Sequence, residues 1–132
     1  LDNVTFAGFL PDQEKMALFQ LCRAVVFPSY LRSEAFGVTL LEGAMNARAL
    51  VSAEVGSGTS HVNVHGETGL VVPPSDPAAL RSAMDRLYAD PELARTLGAR
   101  ARERYEKFFT GKAMGARYAD VYARVMDGRR AA

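Results

Sequence analysis

Along the first half of the chain, short apolar runs alternate with longer stretches whose apolar positions recur at helical spacing. Residues 4–8, Val-Thr-Phe-Ala-Gly, read as a short buried strand. Phe9-Leu10-Pro11-Asp12 then leads into a helix, with Asp12 as the expected N-cap and Met16, Leu18, Phe19 and Cys22 as its apolar face. Ala24-Val25-Val26-Phe27 is apolar throughout, the pattern of a strand covered on both faces, and Pro28 ends it. A loop follows, and a second helix opens near Gly37, carrying Val38, Leu40, Leu41, Ala44 and Met45. Residues 49–53, Ala-Leu-Val-Ser-Ala, give a third strand. The glycine-rich residues 54–60 open a short helix through His61 to Val64, residues 65–69 form a turn, and Leu70-Val71-Val72-Pro73 is a fourth strand.

Beyond Pro73 the period becomes helical and stays so. Asp76-Pro77 caps and opens a helix to about Tyr88, with Leu80, Ala83, Met84 and Leu87 on one face. Asp90-Pro91-Glu92 starts another, to about Phe109, and a last helix covers residues 111–126, with Met114, Tyr118, Val121, Tyr122 and Val125 aligned. Residues 128–132 are expected to fray. Strands alternating with helices predict an α/β fold: a partial doubly wound, Rossmann-like parallel sheet of about four strands, flanking helices and a C-terminal helical tail. Residues 1–132 then make one domain, with the sheet portion at 1–73 and the C-terminal helices at 74–132.

Composition narrows the function classes. A chain of 132 residues is long enough for one domain with a real core. Its formal charge is +1, from 16 basic and 15 acidic residues, so net charge gives no field for nucleic acid. The lone Cys22 lies in an apolar helical pattern and reads as a buried structural thiol. No apolar run approaches the roughly 20 residues that span a bilayer, and no signal peptide is visible. The chain begins Leu1-Asp2-Asn3 and runs straight into an apolar stretch, which predicts a piece of something longer.

The chemistry concentrates in residues 33–44, Ser-Glu-Ala-Phe-Gly-Val-Thr-Leu-Leu-Glu-Gly-Ala. Glu34 and Glu42 are separated by seven residues, and a helix opens between them at Gly37. A strand, a loop and a helix start make an anion site, because free amides and the positive end of the helix dipole face the ligand. With Glu34 in the loop and Glu42 on the helix, both carboxylates can bracket one ligand. Solvated helix-end acids, or a carboxylate pair for glycoside hydrolysis, are the other readings. His61 and His65 read as surface residues of a turn. Ser57, Thr59 and Ser60 read either as turn formers or as sugar and phosphate contacts. Arg95, Arg100, Arg102 and Arg104, interleaved with Glu103 and Glu106, read as a solvated face, with attraction to an anionic lipid surface as the alternative. Tyr118 and Tyr122 read as core or interface residues.

These pieces, in this order, resemble the C-terminal, nucleotide-sugar-binding half of a GT-B-fold retaining glycosyltransferase, most closely glycosyltransferase family 4. The resemblance rests on residues 4–10, 24–29, the Glu-x7-Glu stretch, 49–53, and Gly66-Glu67-Thr68-Gly69-Leu70-Val71-Val72-Pro73-Pro74 with Asp76. It implies that Glu42 takes the ribose hydroxyls and that Glu34 orients the donor sugar as the catalytic acid-bearing position. It further implies that backbone amides around Phe36, Gly37, Val38 and Thr39 hold sugar and diphosphate. The donor would be a nucleotide-diphosphate sugar and the acceptor a glycan or lipid-linked glycan, with no metal or other cofactor. A bacterial O-antigen subset, transferring mannose- or rhamnose-type sugars from GDP donors in lipopolysaccharide biosynthesis, is the nearest in pattern. The implied place is the cytoplasm, peripheral to the inner membrane.

The departures also carry expectations. The basic pair of the family's donor site, and its acceptor domain, would precede Leu1, which predicts no turnover by this chain alone. The glutamate that follows the family's Gly-Gly turn has no counterpart in Gly56-Ser57-Gly58-Thr59-Ser60-His61. In the doubly wound order, two strands belong between residues 4–7 and 24–27. Their absence predicts that the sheet closes within the chain or pairs with a second copy.

Overall fold

A computed structural model of the chain describes residues 2–130, with the side chains of 129 and 130 left aside. Helix α1 (Asp12–Leu21) precedes strand β1 (Ala24–Phe27), α2 (Val38–Met45), β2 (Ala49–Ala53), α3 (Thr59–Val62) and β3 (Gly69–Val72). Helices α4 (Pro77–Ala89), α5 (Pro91–Phe108) and α6 (Gly111–Arg130) follow. The strands form one parallel sheet in the order β1-β2-β3, with Val25 opposite Leu50 and Val51 opposite Leu70.

Strand β2 explains the two-sided core. All five of its residues are buried, as a central parallel strand requires, and successive side chains point to opposite faces. Ala49 and Val51 join Leu70, Val72, Ala83, Leu87, Ala94 and Leu97 under α4 and α5. Leu50 joins Val25, Leu40, Ala44, Val62 and Ala101 on the α2 face. Helix α5 serves both clusters, since Ala94 and Leu97 lie in one and Ala101 in the other.

Capping explains the C-terminal boundaries. The Asp76 carboxylate accepts from the Ala79 amide at 2.9 Å, with Pro77 at the first helical position. Asp90 does the same for Leu93 at 2.9 Å, with Pro91 following. Both match the Asp-Pro expectation. Helix α6 runs past the expected Met126 to Arg130.

Three expectations are corrected. Residues 4–8 form no strand among the described residues, leaving a sheet of three strands rather than four. A strand needs a ladder partner and a surface to cover; here Phe6 is 93% exposed and Phe9 96%. Asp12 lies inside α1; Pro11 holds the cap position, without a side-chain bond, and no residue of α1 is fully buried. Closure of the sheet through residues 4–7 does not form, so β1 is an edge strand, and only its Val25 is fully buried. Of the two readings for Tyr118 and Tyr122, exposure on α6 excludes the core and leaves the interface.

Candidate functional site

Three loops leave the carboxyl ends of the parallel strands: residues 28–37 after β1, 54–58 after β2 and 73–76 after β3. Open α/β sheets take ligands at that edge. The first two loops are stitched together. The Gly58 amide donates to the Ala35 carbonyl at 2.9 Å, and Arg32 Nη2 donates to the Gly56 carbonyl at 3.3 Å. Gly58 fits only without a side chain, because a Cβ there would lie 2.6 Å from that same carbonyl oxygen.

Gly37 turns the first loop into α2. It holds φ +79°, a left-handed conformation open to glycine at little cost. Glu34 folds back on the residues just before α2: its Oε1 accepts from the Gly37 amide at 2.9 Å and the Phe36 amide at 3.2 Å. The amides of Val38 and Thr39 have no protein acceptor among the described residues. Phe36 anchors the loop from below, edge-on to Phe109 at 6.0 Å, and His61 meets the same ring at 5.5 Å. These rings line an apolar cavity of about 440 Å³ that continues to Met114, Tyr118 and Val121 of α6.

Glu42 sits one turn into α2, three-quarters buried. Its Oε1 accepts from Lys15 Nζ of α1 at 2.7 Å; Asp12 is the lysine's second partner, at 3.4 Å. The hydrogen bond Lys15 donates to Glu42 raises the lysine's pKa above its ordinary value. Glu34 and Glu42 thus occupy the loop and the helix as expected, but each holds an internal partner.

The second loop is built as a turn. Glu54 Oε1 accepts from Ser60 Oγ at 2.6 Å and from the Gly56 amide at 2.9 Å, which holds its carboxyl below the usual range. Ser57 and Thr59 hydroxyls pair at 3.2 Å. His65 Nδ1 accepts from the Val71 amide at 3.0 Å, so this exposed histidine locks a turn. Beneath lies a buried polar chain: Thr68 Oγ1 donates to Asn63 Oδ1 at 3.1 Å, and Asn63 Nδ2 donates to Ser52 Oγ at 2.9 Å.

The arginine face is only partly solvated. Arg104 donates twice to the His61 carbonyl, at 3.1 and 2.7 Å, and Arg102 binds the Met45 carbonyl beside its Glu106 partner. Cys22 is half-buried, and burial pushes its thiol up. Lys15, Glu54 and Asn63 were not singled out from the sequence, since each partner lies in another element or beyond a loop. Among the described residues, no three His, Cys, Asp or Glu side chains group as a metal site, and no helix is long and apolar enough to cross a membrane.

A three-stranded parallel sheet between helices, with its loops at the carboxyl ends of the strands, defines an open-sheet α/β domain. Residues 1–104 match the family model described as Glycosyl transferases group 1, and the chain belongs to that family. It is 56% identical over 110 residues to D-rhamnosyltransferase WbpZ of Pseudomonas aeruginosa, covering 83% of this chain and 29% of that protein. It is 48% identical over 129 residues to O-antigen chain mannosyltransferase C of Escherichia coli, covering 98% of this chain and 35% of the relative. The chain therefore spans about a third of the length of these curated relatives. Among solved structures, a sucrose-phosphate synthase of Thermosynechococcus elongatus superposes with a TM-score of 0.81 at 34% identity, over 96% of this chain and 31% of that one.

Proposed function

We propose that this chain is the donor-binding domain of a retaining glycosyltransferase that moves a hexose from a nucleotide-diphosphate sugar to a bacterial O-antigen or related polysaccharide acceptor. The observation that carries it is the helix start at Gly37, with Glu34 in the loop before it and Glu42 one turn inside. The rhamnosyl and mannosyl names of the relatives favour a GDP-linked mannose- or rhamnose-type donor over a UDP-sugar.

In this reading the amides of Phe36, Gly37, Val38 and Thr39 receive the diphosphate and sugar. A diphosphate takes the place that the Glu34 carboxylate holds without ligand, and Glu34 turns to the sugar hydroxyls. Glu42 accepts from the ribose diol, which a carboxylate can do with two hydrogen bonds at once. Catalysis is electrostatic: fixed amides stabilise the departing diphosphate. No metal or other cofactor has a role.

The acceptor is held by residues outside this chain, so the chain alone binds nucleotide and does not transfer sugar. The whole protein works in the cytoplasm at the inner membrane's face. The open edge of β1 supports pairing of the isolated chain with a second copy. Calorimetric titration of GDP and UDP into the folded chain tests the reading. Saturable binding of one or both is expected, and binding of neither would favour a non-catalytic assembly module. The likeness to a sucrose-phosphate synthase supports a second reading, a sugar-phosphate synthase. Assaying the full-length protein with sugar phosphates against lipid-linked glycans separates the two.

A further inference from the structure

We propose that Lys15 is a positioning residue for nucleotide recognition, acting through Glu42; this rests on the assignment of Glu42 to the ribose. Lys15 stands on α1 and Glu42 on α2, 27 positions apart in sequence, yet Nζ and Oε1 lie 2.7 Å apart. The two side chains are 38% and 25% exposed, so the pair is shielded more than an ordinary surface ion pair. The competing Asp12 carboxylate is 94% exposed and 3.4 Å away, which leaves Glu42 as the principal partner.

Geometry gives the contact a purpose beyond holding a helix. The C-terminal end of α1 is already tied, because Arg48 Nη1 donates to the Cys22 carbonyl at 3.1 Å and Phe19 packs on the α2-side core. Lys15 lies a turn or more earlier, on the part of α1 nearest Glu42. An unpaired glutamate would sample many rotamers, and ordering it would subtract from ligand affinity. The ammonium fixes Oε1 in the folded protein and leaves Oε2 to a ligand. A ribose diol would then meet a carboxylate already oriented.

The test uses the full-length protein and calorimetric binding of the preferred nucleoside diphosphate, GDP or UDP, beside its 2′-deoxy form. Wild type should favour the ribose form. Lys15→Met should weaken the ribonucleotide by about tenfold, the scale of one charge-assisted hydrogen bond, and weaken the deoxynucleotide, which keeps only the 3′-hydroxyl, by clearly less. Lys15→Arg should restore most of the preference. Equal losses for both nucleotides, or no loss for either, would overturn the role of Lys15. Glu42→Gln serves as the reference. If it abolishes the ribose preference while Lys15→Met keeps it, only the Lys15 inference falls. If the preference survives Glu42→Gln, the assignment of Glu42 falls, and Lys15 with it.

Discussion

The carboxylate of Glu34 accepts a hydrogen bond from the amide of Gly37 at 2.9 Å, so the acid expected beside the donor sugar occupies the helix start expected to hold the diphosphate. In the proposed reading, Glu34 competes with the diphosphate for the Phe36 and Gly37 amides, while those of Val38 and Thr39 stay open to it.

Removing that competitor separates binding from chemistry. In Glu34→Ala, GDP or UDP without sugar should bind at least as tightly as to wild type. Sugar transfer by the full-length protein should drop by about a hundredfold or more, the scale of one lost oriented polar group. Calorimetry and a transfer assay check the two halves. Weaker nucleotide binding in the variant would show that Glu34 supports the phosphate site rather than competing for it.

Gly37→Ala tests the turn itself. The left-handed φ of +79° costs an alanine about 1–2 kcal/mol. The added Cβ would also lie 3.0 Å from Leu40 Cδ1 and 3.2 Å from Thr59 Cγ2. Urea unfolding should show a lower midpoint with an unchanged slope. A midpoint equal to that of wild type would mean that the turn tolerates a side chain.

Glu54 predicts an acid limb of stability. Its folded carboxyl is held below the ordinary value near 4.5, by Ser60 first and the Gly56 amide second. Such a group stabilises the fold above its unfolded pKa, and the contribution is lost as pH falls through the lower folded value. The carboxylate is exposed, so the effect is modest and salt-sensitive. Ser60→Ala should lower stability at neutral pH and differ less from wild type in strong acid. Denaturation midpoints across that range check it, and parallel curves at every pH would exclude the contact.

The amino-acid pattern alone located strands at 24–27, 49–53 and 70–73 (the last shifted by one residue in the structure), the two Asp-Pro helix starts, and Glu34 in a loop with Glu42 on a helix. Each rests on local rules: a continuous apolar run for a strand with neighbours, an Asp-Pro pair for a cap, and a glycine where the chain must turn. The same rules failed at residues 4–8, whose apolar run reads as a strand although none forms. A strand is a relation between segments, and composition cannot show whether the partner is present. Only the tertiary structure decided what the two carboxylates touch. Glu34 meets amides within three residues, but only because Gly37 adopts a positive φ. Glu42 meets Lys15 across 27 positions of sequence, because the fold brings that point of α1 to α2. Pairings of that range are set by how helices pack on a sheet, which no local period encodes.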